Sequence, residues 1–82
     1  MTSVDINIPI DSSFHAITLT GTTMIVFNKT GSDIIFRYGA SSTSVGMVLE
    51  AHQIMTVSET IYVKVSDSYK GNASSLPIVV TQ

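Results

Sequence analysis

Residues 33–38 read Asp-Ile-Ile-Phe-Arg-Tyr (DIIFRY) and carry the clearest secondary-structure signal in the chain. In an extended chain, Ile34, Phe36 and Tyr38 point to one side, while Ile35 and Arg37 point to the other. This alternation predicts a β-strand with one face against a core. We therefore expect Tyr38, like Ile34 and Phe36, on the core face.

The same pattern recurs outward from this strand, most clearly in residues 60–66 (TIYVKVS), where Ile61, Val63 and Val65 oppose Tyr62 and Lys64. Ile, Val and Thr supply 29 of the 82 residues, and β-branched side chains suit a pleated surface. Short apolar runs between Gly, Ser, Asn and Asp predict an all-β fold, a small antiparallel β-sandwich or barrel. We predict about seven strands in one domain of residues 14–82, at residues 14–20, 22–28, 33–38, 45–50, 53–58, 60–66 and 76–81.

An extended N-terminal arm, residues 1–13 (MTSVDINIPIDSS), precedes this domain. Ile6, Ile8 and Ile10 alternate with Asn7 and Pro9, so one side of the arm is apolar. Pro9 cannot donate to a strand ladder, which restricts the arm to an edge or an isolated extended path. Two alternatives follow: an edge strand of its own domain, or an arm that binds a neighbouring subunit through Ile6, Ile8 and Ile10. On the second alternative, deleting residues 1–10 abolishes partner binding and leaves the domain folded.

Charge is scarce, which disfavours several classes of function. Only 12% of the residues are charged and the net charge is −2, against about 25% in a typical domain. The four basic residues are scattered, so we expect no nucleic-acid binding, which needs clustered Lys and Arg. The longest apolar run, residues 24–27, is far shorter than the roughly 20 residues of a membrane span. With no signal peptide and no cysteine, we expect synthesis in a cytoplasm.

We find no motif for catalysis, a metal or a cofactor. His15 and His52 lack the spacings of metal ligands. The stretch at residues 38–47, YGASSTSVGM, resembles a phosphate-binding or nucleophile loop, but it lacks the P-loop lysine, the second glycine of G-x-S-x-G and a following helix. We expect it to be a hydroxyl-rich connection that either faces solvent or allows a subunit to approach. We also expect no enclosing pocket of about 300 Å³ or more in so small a domain.

Two tyrosines are candidates for partner contact. Tyr62 lies opposite Ile61 and Val63 in its strand, and Tyr69 lies in the longest connection, residues 66–75. Tyrosine combines apolar area with a hydroxyl group and is favoured at protein interfaces. We expect Tyr62 and Tyr69 to contact a partner protein, with sugar stacking as the alternative.

Residues 25–39 read IVFNKTGSDIIFRYG, residues 45–57 read VGMVLEAHQIMTV and residues 61–65 read IYVKV. With these stretches, residues 22–82 resemble small all-β virion proteins of tailed bacteriophages. In those proteins an N-x-x-x-x-x-I-x-(I/V/F)-R-(Y/F)-G strand precedes a Leu-x-x-(G/H)-x strand pair, an (I/L)-Y strand and a closing V-V-T-x strand. Where a Pro-Gly turn often appears in that family, this chain has Ala51-His52. The matching positions here are Asn28, Ile34, Phe36, Arg37, Tyr38, Gly39, Leu49, Ile61, Tyr62, Val79, Val80 and Thr81.

The resemblance implies a structural role in a virion. Its first form is a capsid decoration (cement) protein that binds and stabilises the lattice of the major capsid protein, without enzymatic activity or cofactor. It also implies a homo-oligomer, with a trimer favoured, and the arm could join capsid subunits by adding a strand to a sheet. The alternatives are a tail or neck component, or a carbohydrate- or receptor-binding module that uses Tyr62, Tyr69 and residues 66–75.

Overall fold

A computed structural model describes residues 1–39 and 46–82. We expect the Ser/Thr-rich connection either to face solvent or to contact a subunit, and most of it, residues 40–45, lies outside the described residues. Eight short strands follow one another along the chain: β1 (Ser3–Pro9), β2 (His15–Ile17), β3 (Met24–Phe27), β4 (Ile34–Arg37), β5 (Met47–Leu49), β6 (Ile54–Val57), β7 (Ile61–Val65) and β8 (Ser75–Thr81).

The strands form two four-stranded antiparallel sheets that pack face to face. Sheet I has the order β1-β8-β3-β6, and sheet II has the order β2-β7-β4-β5. Alternate side chains of both sheets meet in one core, which confirms the all-β class and identifies the fold as a small β-sandwich. The buried apolar residues are Ile8, Ile17, Met24, Val26, Ile34, Phe36, Leu49, Val57, Ile61, Val63, Val65, Ile78 and Val80.

The predicted strands correspond to β2 through β8, and the predicted faces hold in the clearest cases. Ile61, Val63 and Val65 are buried, while Tyr62 and Lys64 are half-buried on the other face. The prediction for Tyr38 is wrong. Strand β4 ends at Arg37, so Tyr38 lies beyond the ladder with 43% of its surface exposed.

Residues 3–9 of the N-terminal segment form β1, an edge strand of the chain's own sheet. Strand β1 pairs with β8 in register from Ser3 opposite Thr81 to Pro9 opposite Ser75. Beyond the ladder, Thr2 and Gln82 exchange two backbone hydrogen bonds of 2.8 and 3.1 Å. The position of Pro9 at the end of an edge strand agrees with its missing N–H donor.

The apolar side of β1 faces the core of the same chain. Ile8 is buried, and Ile6 and Ile10 pack against the core cluster. In this conformation the row of isoleucines is therefore not presented to a neighbouring subunit. Of the two alternatives for this segment, the structure has the edge strand.

A four-residue turn joins β5 to β6 and crosses between the two sheets. The Gln53 amide donates to the Glu50 carbonyl at 3.0 Å, and the His52 amide donates to the Asn28 carbonyl at 2.7 Å. His52 has φ 63°, the left-handed region that favours glycine at the third position of such a turn. The Ala51-His52 turn thus places a non-glycine residue at a position where glycine is favoured.

Replacing His52 by glycine should stabilise the protein by about 0.5 kcal/mol. The left-handed conformation costs a non-glycine residue about 1–2 kcal/mol, and glycine offsets part of this gain by about 0.5–1 kcal/mol of extra chain entropy in the unfolded state. Ala51→Gly is the matched control, since Ala51 has no positive φ and should lose stability. Urea denaturation of both variants measures the change in the free energy of unfolding. A lower stability of His52→Gly than of the unmodified protein would contradict the strain argument.

Candidate functional site

An open cavity of about 460 Å³ lies at one end of the sandwich, between the β3–β4 turn, the β7–β8 loop and the start of β8. Because this cavity is open to solvent, it does not contradict our expectation that so small a domain has no enclosing pocket of about 300 Å³ or more. The long β7–β8 loop folds back over the end of the core and creates the concavity. The lining residues are Gly31, Ser32, Asp33, Ser68, Tyr69, Lys70, Gly71 and Leu76.

Tyr69 forms one wall of this cavity and is held in place on several sides. It is half-buried against the core cluster, and its hydroxyl oxygen accepts a hydrogen bond of 3.3 Å from the Ala73 amide. A Cβ atom added at Gly71 would overlap the hydroxyl end of the Tyr69 ring. Glycine at position 71 thus allows the loop backbone to pass directly over the ring.

The cavity carries one carboxylate and one ammonium group, from Asp33 and Lys70. Among the residues that the structure describes, neither side chain has an ion-pair or hydrogen-bond partner, since the three ion pairs join other residues. Ser32 and Ser68 add hydroxyl groups, and the Ser68 hydroxyl lies 2.9 Å from that of Ser66. The site can therefore donate and accept hydrogen bonds while its net charge is zero.

The wall formed by the β3–β4 turn is anchored by Asn28, the side chain of which is fully buried. Its amide nitrogen donates to the carbonyl oxygens of Ser32, Leu49 and Glu50 at 2.8, 2.9 and 3.1 Å. Its oxygen accepts from the amide and the hydroxyl of Thr30 at 3.1 and 2.6 Å. Asn28 thus ties the β3–β4 turn to the β5–β6 turn. Sequence reasoning missed this role, although Asn-x-Thr ahead of a glycine is a turn signal.

A second candidate surface is a line of apolar side chains on the outer face of sheet I, here called the outer row. Strand pairing places Val79, Phe27 and Ile54 side by side across β8, β3 and β6, and Ile25 lies next to Phe27 on the same face. Phe27, Val79 and Ile25 are half-buried, and 63% of Ile54 is exposed. No strand of the described residues covers this face, because each sheet of the sandwich packs on its inner side only.

The outer row ends differently at the two edges of sheet I. At the β1 edge, Asp5 lies opposite Val79, and its two carboxylate oxygens lie 3.0 and 2.9 Å from the Lys29 ammonium. At the β6 edge, residues 54–57 contain neither charge nor proline. Charges and proline are the usual protection of an edge strand against pairing with another chain. Among residues 1–39 and 46–82, no second strand pairs with β6 on its outer side, so a strand of another chain could add there.

The predicted contact residue Tyr62 lies on the outer face of sheet II, opposite Ala16 and Arg37 in the ladder. On the same sheet, the Arg37 guanidinium lies 3.9 Å from the centre of the Phe14 ring, a cation–π distance. Tyr62 is absent from the cavity lining that includes Tyr69. The structure therefore does not combine the two tyrosines into one platform.

The two histidines lie in different environments. His15 Nε2 is 2.9 Å from Asp11 Oδ1, and this hydrogen bond, with a second from the Ser13 amide, holds the pKa of Asp11 below its ordinary value. His52 is exposed in the β5–β6 turn. Within residues 1–39 and 46–82, no group of three or more His, Cys, Asp or Glu side chains is placed to hold a metal ion.

Of the five residues predicted to bind a partner, Ile6, Ile8 and Ile10 pack inside the chain's own sandwich, Tyr69 lines the cavity and Tyr62 lies on a separate face.

No family model, no curated protein and no solved structure matches this chain. In the described part of the chain, no helix is long and apolar enough to cross a membrane.

Proposed function

We propose that this protein is a structural component of a bacteriophage virion, and that it decorates the capsid by binding the major capsid protein. The observation that carries the proposal is the outer row of sheet I, which runs uncovered to the unprotected β6 edge. The resemblance to small all-β virion proteins supplies the setting. Several residues that carry this resemblance are buried in the core, such as Ile34, Leu49 and Val80, and they support a fold shared with those proteins. The apolar outer row supports the contact with the capsid protein.

The size of the molecule supports a contact made by a whole face. The sandwich measures 35 × 28 × 18 Å, so one broad face is comparable with the roughly 800 Å² that each partner buries in a standard protein interface. The apolar outer row would form the dry centre of such an interface, with Thr56 and Thr81 among its polar surroundings. A strand of the capsid protein added at β6 would supply backbone hydrogen bonds and register.

The proposal is tested by replacing Ile54 with lysine. A charge on an open edge strand opposes strand pairing, and loss of a central contact of this kind typically costs about 2 kcal/mol or more, which is a roughly 30-fold loss of affinity. The measurement is co-sedimentation of the purified protein with capsids that lack it. Because most of the Ile54 side chain is exposed, we expect the stability of the fold to change by less than about 0.5 kcal/mol.

Val48→Lys provides the matched control. Val48 is also an apolar residue on an edge strand, with 51% exposure, but it lies on sheet II. We expect this variant to bind capsids normally. Equal binding by Ile54→Lys and the unmodified protein would overturn the proposed contact. Sedimentation of the protein alone separates an 8.8 kDa monomer from the trimer that we propose.

A tail or neck position in the virion is the alternative. The same outer row and β6 edge would then contact a tail or neck protein instead of the capsid lattice. Localisation of the protein in a map of the whole particle separates these positions.

A further inference from the structure

We propose that the cavity at the end of the sandwich binds one neutral sugar residue of a glycan, with Asp33 and Lys70 as its hydrogen-bonding groups and Tyr69 as its apolar wall. This site goes beyond the proposed structural role. It uses loop residues at the end of the sandwich, whereas the proposed capsid contact uses the outer face of sheet I. Either proposal can therefore fail without the other.

The dimensions of the cavity agree with a ligand of this class. Its volume of about 460 Å³ falls within the range of small-molecule sites, roughly 300–1,000 Å³. This volume accommodates one hexopyranose ring with its substituents. The cavity opens to solvent, so the neighbouring units of an oligosaccharide can extend outward from it.

The chemistry of the lining separates a sugar from other ligands. The C–H faces of a sugar ring need apolar contact, which Tyr69 and Leu76 offer, and its hydroxyl groups need both donors and acceptors. The Asp33 carboxylate can accept hydrogen bonds and the Lys70 ammonium can donate them, and hydrogen bonds to charged groups are stronger than neutral ones. One negative and one positive group leave no net charge, so the site favours a neutral ligand over a phosphate or an acidic sugar.

The walls of the cavity are fixed by contacts within the chain. Tyr69 is held by the core, by the Ala73 amide and by the close passage of Gly71. The carbonyl group of Ser32 is held by Asn28 at 2.8 Å and by the Thr30 hydroxyl at 2.9 Å. A prearranged site loses little conformational freedom on binding, which favours affinity for a small ligand.

The experiment is a titration of the ¹⁵N-labelled full chain with methyl glycosides of neutral hexoses and of N-acetylhexosamines, followed by NMR. We expect saturable amide shifts in residues 31–33 and 68–71 for at least one glycoside. The expected dissociation constant is about 1 mM, the range for a ligand of about a dozen non-hydrogen atoms. Methyl glucuronide, which carries a negative charge, should bind more weakly than its neutral counterpart.

Two substitutions test the assigned groups. Asp33→Asn replaces the charged acceptor with a neutral amide, and we expect roughly a tenfold loss of affinity. Gly71→Val pushes the Tyr69 ring from its position and should abolish the shifts. Asp67→Asn is the matched control, because Asp67 is exposed in the same loop, lies 3.5 Å from the Lys64 ammonium and is outside the cavity lining. The NMR spectrum itself reports whether each variant is folded.

The proposal is overturned if none of the glycosides gives saturable shifts. It is also overturned if Asp33→Asn and Asp67→Asn bind equally well, or if the shifts fall on another part of the molecule.

Discussion

Replacing Asn28 by alanine should lower the free energy of unfolding by about 3–5 kcal/mol. The substitution removes the hydrogen bonds that the amide nitrogen donates and those that the side-chain oxygen accepts from Thr30. The Ser32 and Glu50 carbonyl oxygens keep a second donor, but the Leu49 carbonyl and the buried Thr30 amide lose this partner. Each buried polar group left unsatisfied costs about 1–3 kcal/mol. A chain of 82 residues has a total stability of roughly 4–12 kcal/mol, so the loss is a large part of the whole.

Chemical denaturation followed by circular dichroism measures this loss. Asn28→Asp keeps the size of the side chain and the oxygen that Thr30 contacts, but it removes the amide donors, so we expect it to be at least as damaging as alanine. Asn72→Ala is the control on an exposed loop position, with an expected change within about 0.5 kcal/mol. A loss of less than about 1 kcal/mol in Asn28→Ala would contradict the anchoring role.

Deleting residues 1–10 should abolish cooperative folding. The deletion removes the whole of β1, uncovers the β8 backbone along seven paired positions and takes Ile8 out of the core. Removal of the Ile8 side chain alone, as Ile8→Ala, should cost about 2–5 kcal/mol through lost burial and the cavity left behind. Of the two alternatives that the sequence left open, an arm for a neighbouring subunit can be lost without harm to the fold, whereas the edge strand that the structure has cannot.

Thermal unfolding of the truncated chain and of Ile8→Ala checks this prediction. Val4→Ala is the matched control, because Val4 lies on the same strand with 50% of its surface exposed and should change stability by less than about 1 kcal/mol. If the truncated protein melts cooperatively at the temperature of the full chain, β1 is dispensable and the arm interpretation of residues 1–13 returns.

The strands and their buried faces were predictable because the signal is local. In β4 and β7, the alternation of apolar and polar side chains predicts which face is buried, and this prediction requires no knowledge of distant contacts. The location of β1 was not predictable in the same way. Ile6, Ile8 and Ile10 give the same pattern whether the partner strand belongs to this chain or to another, and that strand, β8, lies some seventy residues away in the sequence.

The candidate sites depended still more on distant contacts. Asn28 looks like an ordinary turn residue until the turn after β5 brings the Leu49 and Glu50 carbonyls to its amide group. The cavity arises because the β7–β8 loop folds over the β3–β4 turn, which places Tyr69 near Asp33. The sequence predicts a partner contact for Tyr69, but nothing near Tyr69 in the sequence points to Asp33.

The pairing of the two ends of the chain has a mechanical consequence. Thr2 and Gln82 are bonded to each other at the start of the β1–β8 ladder, so a force that pulls the two ends apart acts on one pair of hydrogen bonds at a time. Such a load would separate β1 from β8 by breaking their hydrogen bonds one after another, starting at the termini. An attachment through the faces of the sandwich would therefore resist a mechanical load better than an attachment through the two termini.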